Sequence, residues 1–413
     1  MLFLEKFEIE NALLVFPKFP IARNPVIKHH ELPIGLLKIG SYLKQEGVNV
    51  CIVNQSLKQE IPSGFSPDII LVSTLFTYYA PYVKKTIDDL RVKYPTIPLI
   101  CGGIWASLAP DVCQEYTGCD YVHHGIIPEA EDVILDYSLL QNRVNFQIVH
   151  TSRGCSRHCQ YCGCYHIEPE HYCNNSIKKQ IRRKHIYFYD NNLLANPHIS
   201  VILDECIQLH KRHMVSDFIA TQGFEKALVC KNPDLIEKCK QANFIRPYFA
   251  WDEPYTNRKL IKKTVKTFID SGYNPKHIGV YMLFNHDVPF EECEKKRIYL
   301  YKLGVRIADC RFRPYTQLYD NFNMKKKNQT SDDYYIHPKW TDDLVKAFRR
   351  NCGYHTRCLY NDLPFYTKQL QRKNRIFDYQ DIRDMSYDKA LQVIDDVWHP
   401  LKINGGWSYK TDN

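Results

Sequence analysis

The chain has 413 residues, 24% of them charged and 44% hydrophobic, and a net charge of +9. That length exceeds one small domain, and the balance is that of a globular protein rather than a disordered or fibrous one. No apolar run reaches the ~20 residues needed to cross a bilayer, and the mild positive excess does not demand a nucleic-acid partner.

Glu5, Lys6 and Glu8 interrupt the opening stretch where a signal peptide would be apolar, so the expected location is the cytoplasm, with no membrane association. In that reducing compartment, sixteen cysteines point to metal or redox chemistry and to small buried hydrophobes, not to a disulfide scaffold.

Residues 11–150 alternate short apolar runs with helical patterns. NALLVF reads as a buried strand. PIGLLKIGSYLKQEG follows as a helix, with Leu36, Leu37, Ile39 and Leu43 at helical spacing and Gly47 closing it. VNVCIVN, PDIILVSTL, IPLICGG and CDYVHHG read as further strands, with helices at YVKKTIDDLRVKY and PDVCQEYTG. Strands alternating with helices predict an α/β fold with a doubly wound parallel sheet. Ligands of such sheets sit at the carboxyl ends of the strands, here Ser73, Thr74 and Leu75, then Gly102 and Gly103, then Gly125. The bland alternative is that each glycine only ends a strand.

LPIGLLKIGSYLKQEGVNVCIVN, the Ser-x-Leu of VSTLF, and LICGGIWA together resemble the cobalamin-binding domain that precedes the catalytic domain in many radical S-adenosylmethionine (radical SAM) enzymes. The resemblance covers most of residues 11–135 and implies cobalamin against Ser73, Leu75, Gly102, Gly103 and Gly125. It departs at one point: Asp-x-His-x-x-Gly, which supplies the lower axial histidine in many cobalamin proteins, does not occur. Some members of the group lack it and still bind cobalamin. His123 and His124, beside a predicted strand end, read as surface residues.

RGCSRHCQYCGCYH then places four cysteines within ten positions, Cys155 to Cys164. A disulfide, a zinc site and an iron–sulfur cluster are the alternatives. Zinc would need a fourth ligand from Cys164, His166 or Cys173, and the usual second Cys-x-x-Cys knuckle is missing. Three close thiolates on a loop suit a cluster. The spacing Cys-x3-Cys-x2-Cys, with Tyr161 before its last cysteine, resembles the radical SAM signature. That resemblance implies a [4Fe–4S] cluster on Cys155, Cys159 and Cys162, with the fourth iron chelated by the amino and carboxylate groups of SAM. It further implies reductive cleavage of SAM to a 5′-deoxyadenosyl radical, fed by a reductant protein such as flavodoxin or ferredoxin. Cys164 and Cys173 are then spare.

Strands read at NFQIVH (Phe146 to His150), KHIYFYDNN, VSDFIATQG, RPYFAWDEP, HIGVYMLFN and VRIADCRFRPY, giving about six βα units over residues 146–315, a partial barrel. Polar residues at the strand ends are Asp190, Asn191 and Asn192; Gln222; Asp252 and Glu253; Asn285; and Arg311 with Arg313. By the same resemblance, Asp190, Asn191 and Asn192 lie near the methionine part of SAM, and Asp252 and Glu253 near its ribose. The alternatives are a capping Asp190, a solvated acidic pair and two solvated arginines.

The tail breaks the pattern. TDDLVKAFRRNCGYH and YDKALQVIDDVWH read as helices, and Lys325–Lys327 as a solvated run rather than an RNA contact. The expected domains are 1–145 (cobalamin-binding-like), 146–318 (partial (βα)6 radical SAM barrel) and 319–413 (a mostly helical extension). Three functions fit. One is a cobalamin-dependent radical SAM methyltransferase acting on an unactivated centre. Another is a cobalamin-independent radical SAM enzyme with a scaffold N-terminal sheet. The third is a non-catalytic Fe–S or zinc protein binding RNA. No catalytic residue and no substrate can be read.

Overall fold

The computed structural model describes residues 8–20, 32–141 and 144–360, with short strands at 402–403 and 406–407. The tail helix expected within YDKALQVIDDVWH lies outside the described residues. The chain divides into two compact units, residues 1–186 with 313–320 and residues 187–312 with 321–413.

The first unit contains β1 (Asn11–Phe16), α1 (Ile34–Gln45), β2 (Asn49–Asn54), β3 (Ile69–Thr74), α2 (Ala80–Lys93), β4 (Leu99–Gly103), α3 (Ile104–Leu108), α4 (Pro110–Thr117), β5 (Tyr121–Val122) and α5 (Pro128–Glu131). The five strands form one parallel sheet in the order β2-β1-β3-β4-β5. β1 is an interior strand covered on both faces, so Ala12 to Phe16 are all at most 1% exposed. That is why NALLVF is a continuous apolar run and not an alternating one. Each such buried Leu or Val contributes about 1.5–3 kcal/mol. β5 is shorter than its predicted stretch, and α3 was not foreseen: five residues between Gly103 and Pro110 are too few for a periodic signal.

The same unit continues through β6 (Phe146–Val149), β7 (Ser152–Arg153), α6 (Cys164–Ile167) and β8 (Tyr172–Cys173). β7 and β8 pair antiparallel and close the cysteine loop at its base. Gln147 of β6 fixes the following segment, donating to the Gln180 carbonyl at 2.6 Å and accepting from Arg182 N–H at 2.8 Å.

Within β9 (His185–Phe188) the chain passes to the second unit. There follow α7 (Ile199–Lys211), β10 (Asp217–Ala220), α8 (Lys226–Lys231), α9 (Pro233–Gln241), β11 (Tyr248–Ala250), α10 (Arg258–Asp270), β12 (Gly279–Phe284), α11 (Phe290–Lys302), β13 (Arg306–Arg311) and α12 (Asp342–Tyr360). β11, β12 and β13 form a continuous parallel sheet, while β10 meets the chain before β11 through the single bridge Phe218–Phe244. Phe188, Phe218 and Phe244 stack there, with centroids 5.3–5.9 Å apart. α10 buries Ile261, Thr264, Val265 and Phe268, one face at helical spacing, and leaves its lysines outside.

The aperiodic tail is ordered by side chains. Buried Asn285 donates to the Tyr335 carbonyl at 2.8 Å and accepts from His337 N–H at 3.0 Å. Asp342, at the start of α12, accepts from Tyr334 Oη at 2.9 Å and Lys346 Nζ at 2.6 Å. These bonds replace the periodic pattern that the sequence lacks. Among the described residues, no helix is long and apolar enough to cross a membrane.

Candidate functional site

Of the six positions predicted from strand ends, Ser73, Thr74, Gly102 and Gly103 close β3 and β4, and Leu75 and Gly125 lie just past β3 and β5. Ser73 of β3 pairs with Gly102 of β4. The Leu75 carbonyl accepts from Trp105 N–H at 2.8 Å, and Gly125 N–H donates to Ser107 Oγ at 2.9 Å. Gly103 has φ +107°, and a Cβ there would fall 2.3 Å from the Thr74 carbonyl oxygen, so only glycine fits. Gly102, by contrast, is open: a Cβ would meet only His123 Cβ, at 3.9 Å.

Thr74 was a lesser strand-end candidate, and it proves to be the pin of these strand ends. Its Oγ1 donates to the Gly102 carbonyl and accepts from Ala106 N–H, both at 3.0 Å, inside the protein. Thr74→Val keeps the shape but orphans the Ala106 donor. Urea denaturation is expected to show a loss of about 1–2 kcal/mol; an unchanged midpoint would remove Thr74 from that role.

His123 corrects an expectation. Its neighbour His124 is exposed, but the His123 ring turns inward and hydrogen-bonds the backbone of Ile126. Burial lowers its pKa, and its Nε2 is buried without a hydrogen-bond partner. A single exposed-looking His-His pair carries no sequence signal for that difference.

The cysteine loop hangs from the same unit. Gly154, with φ +76°, lies where a Cβ would come 2.1 Å from the Glu170 carbonyl oxygen. Its N–H donates to Glu168 at 2.7 Å. Glu168 also pairs with Arg153 at 2.6 Å, Arg153 reaches Glu131 of α5 at 3.5 Å, and Glu131 pairs with Lys38 of α1. Burial holds Lys38 down at a pKa of about 8 against the opposing pull of Glu131. Two cations and two carboxylates, nearly all out of water, tie the loop base to the sheet's helices. Such buried pairs contribute little net stability, but they tolerate few alternative arrangements. Nothing in the sequence flagged these four residues, which lie far apart along it.

Cys155, Cys159 and Cys162 are half-buried. Cys155 Sγ accepts from Arg157 N–H at 3.4 Å, and Cys162 N–H donates to the Cys159 carbonyl at 2.9 Å. Cys164 opens α6 with its thiol hydrogen-bonded to Cys162, a contact that together with burial pushes its pKa up. Among the described residues, no three His, Cys, Asp or Glu side chains converge as a metal-ion site. The donors nevertheless suit iron: three soft thiols on one short loop.

Three other cysteines, separated along the sequence, come together. Cys101 of β4, Cys113 of α4 and Cys119 before β5 are buried with their thiols in mutual hydrogen-bond contact.

In the second unit the predicted strand-end residues are joined through α8. Buried Asn192 donates to Glu225 at 2.6 Å, and the adjacent Lys226 pairs with Glu253 at 2.9 Å and donates to the Ala250 carbonyl at 2.7 Å. Asp190 is 2% exposed, while Asn191 and Asp252 are half-buried. Glu225 and Lys226, and Lys296, which lies buried over the Trp251 indole at 5.5 Å, were not foreseen. Burial lowers the Lys296 pKa. Arg311 stacks on Phe322 at 4.5 Å and Tyr334 at 5.0 Å, which makes it a packing cation and not a solvated one.

Comparison with known families adds one finding. Residues 24–135 match the B12 binding domain. No curated protein matches the chain. The matched region contains β2 to β5 and all six strand-end positions. An open glycine strand end bordered by an orphaned buried nitrogen suits a large ligand with polar side groups, as a corrinoid is.

Proposed function

We propose that this chain is a cobalamin-dependent radical SAM enzyme, and within that class a methyltransferase acting on an unactivated carbon or phosphorus centre. The observation that carries the reading is a coincidence within one compact unit. A stretch matching the B12 binding domain and a Cys-x3-Cys-x2-Cys loop belong to the same unit and share the Lys38–Glu131–Arg153–Glu168 network. Ser73, Leu75, Gly102, Gly103 and Gly125 would hold the corrinoid, and Cys155, Cys159 and Cys162 the [4Fe–4S] cluster. When bound, the cluster supplies the electron that cleaves SAM, and cobalamin supplies a methyl carrier.

This chain's own residues do the holding. Gly154 and Glu168 fix the start of the cysteine loop. In the second unit, Asp190, Asn191, Asn192, Asp252 and Glu253 are the proposed SAM contacts, with Glu225 and Lys226 orienting Asn192 and Glu253. The reductant would be a flavodoxin- or ferredoxin-type protein. The substrate is chosen by pocket walls and not by the cluster loop.

The test is corrinoid content. The protein is expressed anaerobically with iron and cobalamin supplied, and bound corrinoid is measured by absorption after cyanide treatment. Near-stoichiometric corrinoid, with 5′-deoxyadenosine formed from SAM on reduction, is the expected result. An intact cluster without corrinoid would overturn the cobalamin half and leave a cobalamin-independent radical enzyme.

A further inference from the structure

Between the cysteine loop and β9 the chain reads SIKKQIRRKH. Lys178, Lys179, Arg182, Arg183 and Lys184 fall inside seven residues, and His171 to Tyr189 contains no Asp or Glu. A short basic run is either a mobile, solvated loop or a patch for a polyanion. Here the backbone is fixed. Asn174 N–H donates to the Thr151 carbonyl at 2.8 Å, and Gln180 N–H closes a turn on the Ile177 carbonyl at 2.9 Å. Gln147 of β6 then clamps Gln180 and Arg182. Ile177 and Ile181 anchor the run in the core, at 0% and 8% exposure, and Arg183 lies 5.2 Å from the Tyr137 ring.

The anchors point inward and the cations outward. Lys178, Lys179, Arg182 and Lys184 are all exposed. Other cations of the same unit are neutralised at close range: Lys38 by Glu131, Arg153 by Glu168, Lys44 by Asp136, Lys84 by Asp88 and Arg91 by Asp120. Lys179, Arg182 and Lys184 have no carboxylate within ion-pair distance among the described residues. Like charges so close repel one another, and a clamped backbone keeps them from spreading apart. The patch is therefore stabilised by a ligand that brings several negative charges to it.

The exposed groups decide which ligand that is. A protein partner needs apolar or aromatic anchors at the centre of its interface, and a membrane surface needs apolar side chains to insert. The run exposes neither, since both of its isoleucines are buried. A phosphodiester backbone needs only closely spaced Lys and Arg, which hold it without reading its sequence. We infer that residues 178–184 are a docking site for the phosphate backbone of a nucleic acid, gripped by Lys179, Arg182 and Lys184. The inference is independent of the corrinoid and of the cluster.

The probes are a short fluorescein-labelled single-stranded RNA of mixed sequence and the DNA strand of the same sequence. Each is titrated with the full chain at a series of salt concentrations, and binding is read by fluorescence anisotropy. Affinity is expected to fall with salt. Exchanging Lys179→Gln, Arg182→Gln and Lys184→Gln together is expected to weaken low-salt binding at least about tenfold. The same variant makes the plot of log affinity against log salt shallower by about 2, at about 0.7 per lost single-strand contact. Lys179→Arg with Lys184→Arg keeps the charge and the slope. Exchanging Lys259→Gln, Lys262→Gln and Lys263→Gln together removes as much charge from the exposed side of α10, and it is expected to keep the wild-type slope. Circular dichroism checks the fold of each variant.

The strand that binds more tightly identifies the source as RNA or DNA, and either result supports the site. Equal losses in the two triple variants would reduce the effect to net charge and overturn it. A slope unchanged by the first triple variant would overturn it too, as would a wild-type chain that binds neither strand at low salt. Phosphatidylserine vesicles bound by the wild type and released by that variant, without oligonucleotide binding, would make the patch a membrane contact instead.

Discussion

Replacing Cys155, Cys159 or Cys162 with alanine is expected to abolish the visible absorption of the reconstituted cluster, while Cys164→Ala leaves it intact. A [4Fe–4S] cluster with one iron reserved for SAM needs three protein thiolates, and two cannot hold it. The loop that carries them is fixed at its start by Gly154 and Glu168 and at its end by the β7–β8 pairing, which holds its backbone in place when one cysteine is removed. Cys164 is the nearest substitute, but it opens α6, whose C-terminal residue is followed by Glu168, already committed to Arg153 and Gly154. Iron and sulfide content, with circular dichroism as a control for folding, decide the matter. A full cluster in any of the three variants would sink the assignment. Loss of iron in Cys164→Ala would revive a zinc or four-cysteine site.

Much of the fold was legible because burial leaves a pattern. β1 reads from sequence since a strand covered on both faces must be apolar throughout, and α10 reads since one face alone is buried. The ends of β3 and β4 predicted from that pattern do lie side by side. What was not legible depends on partners distant in sequence. Lys38, Glu131, Arg153 and Glu168 are ordinary charges until three-dimensional structure brings them together. Cys101, Cys113 and Cys119 look scattered for the same reason. Local pattern reports which face is buried; it does not report which residue of another element lies opposite.

The second large effect is an acid-induced loss of stability from two histidines buried without charge. His355 of α12 is 1% exposed; its Nε2–H donates to the Val305 carbonyl at 2.8 Å, and its ring lies 5.1 Å from Tyr301. Burial, with Arg297 nearby, lowers its pKa to about 3. In the first unit, burial and the charges of Lys38 and Arg153 hold His150 well below the ordinary value. In the unfolded chain both titrate near ~6.5. Between that value and the folded pKa the unfolded state binds more protons, so stability is full above about pH 6.5 and falls as pH drops. His355 contributes a slope of about 1.4 kcal/mol per pH unit, hence about 2 kcal/mol by pH 5, against a typical total of about 5–15, and His150 acts in the same direction. Urea unfolding at pH 7 and pH 5 measures the sum. His355→Leu separates the second unit's share: it forfeits the Val305 hydrogen bond at both pH values but no longer responds to protons, so its deficit against wild type should shrink by about 2 kcal/mol at pH 5. A deficit equal at the two pH values would mean that His355 can take up a proton in the folded chain, and that the space around it is less closed to water than its burial indicates.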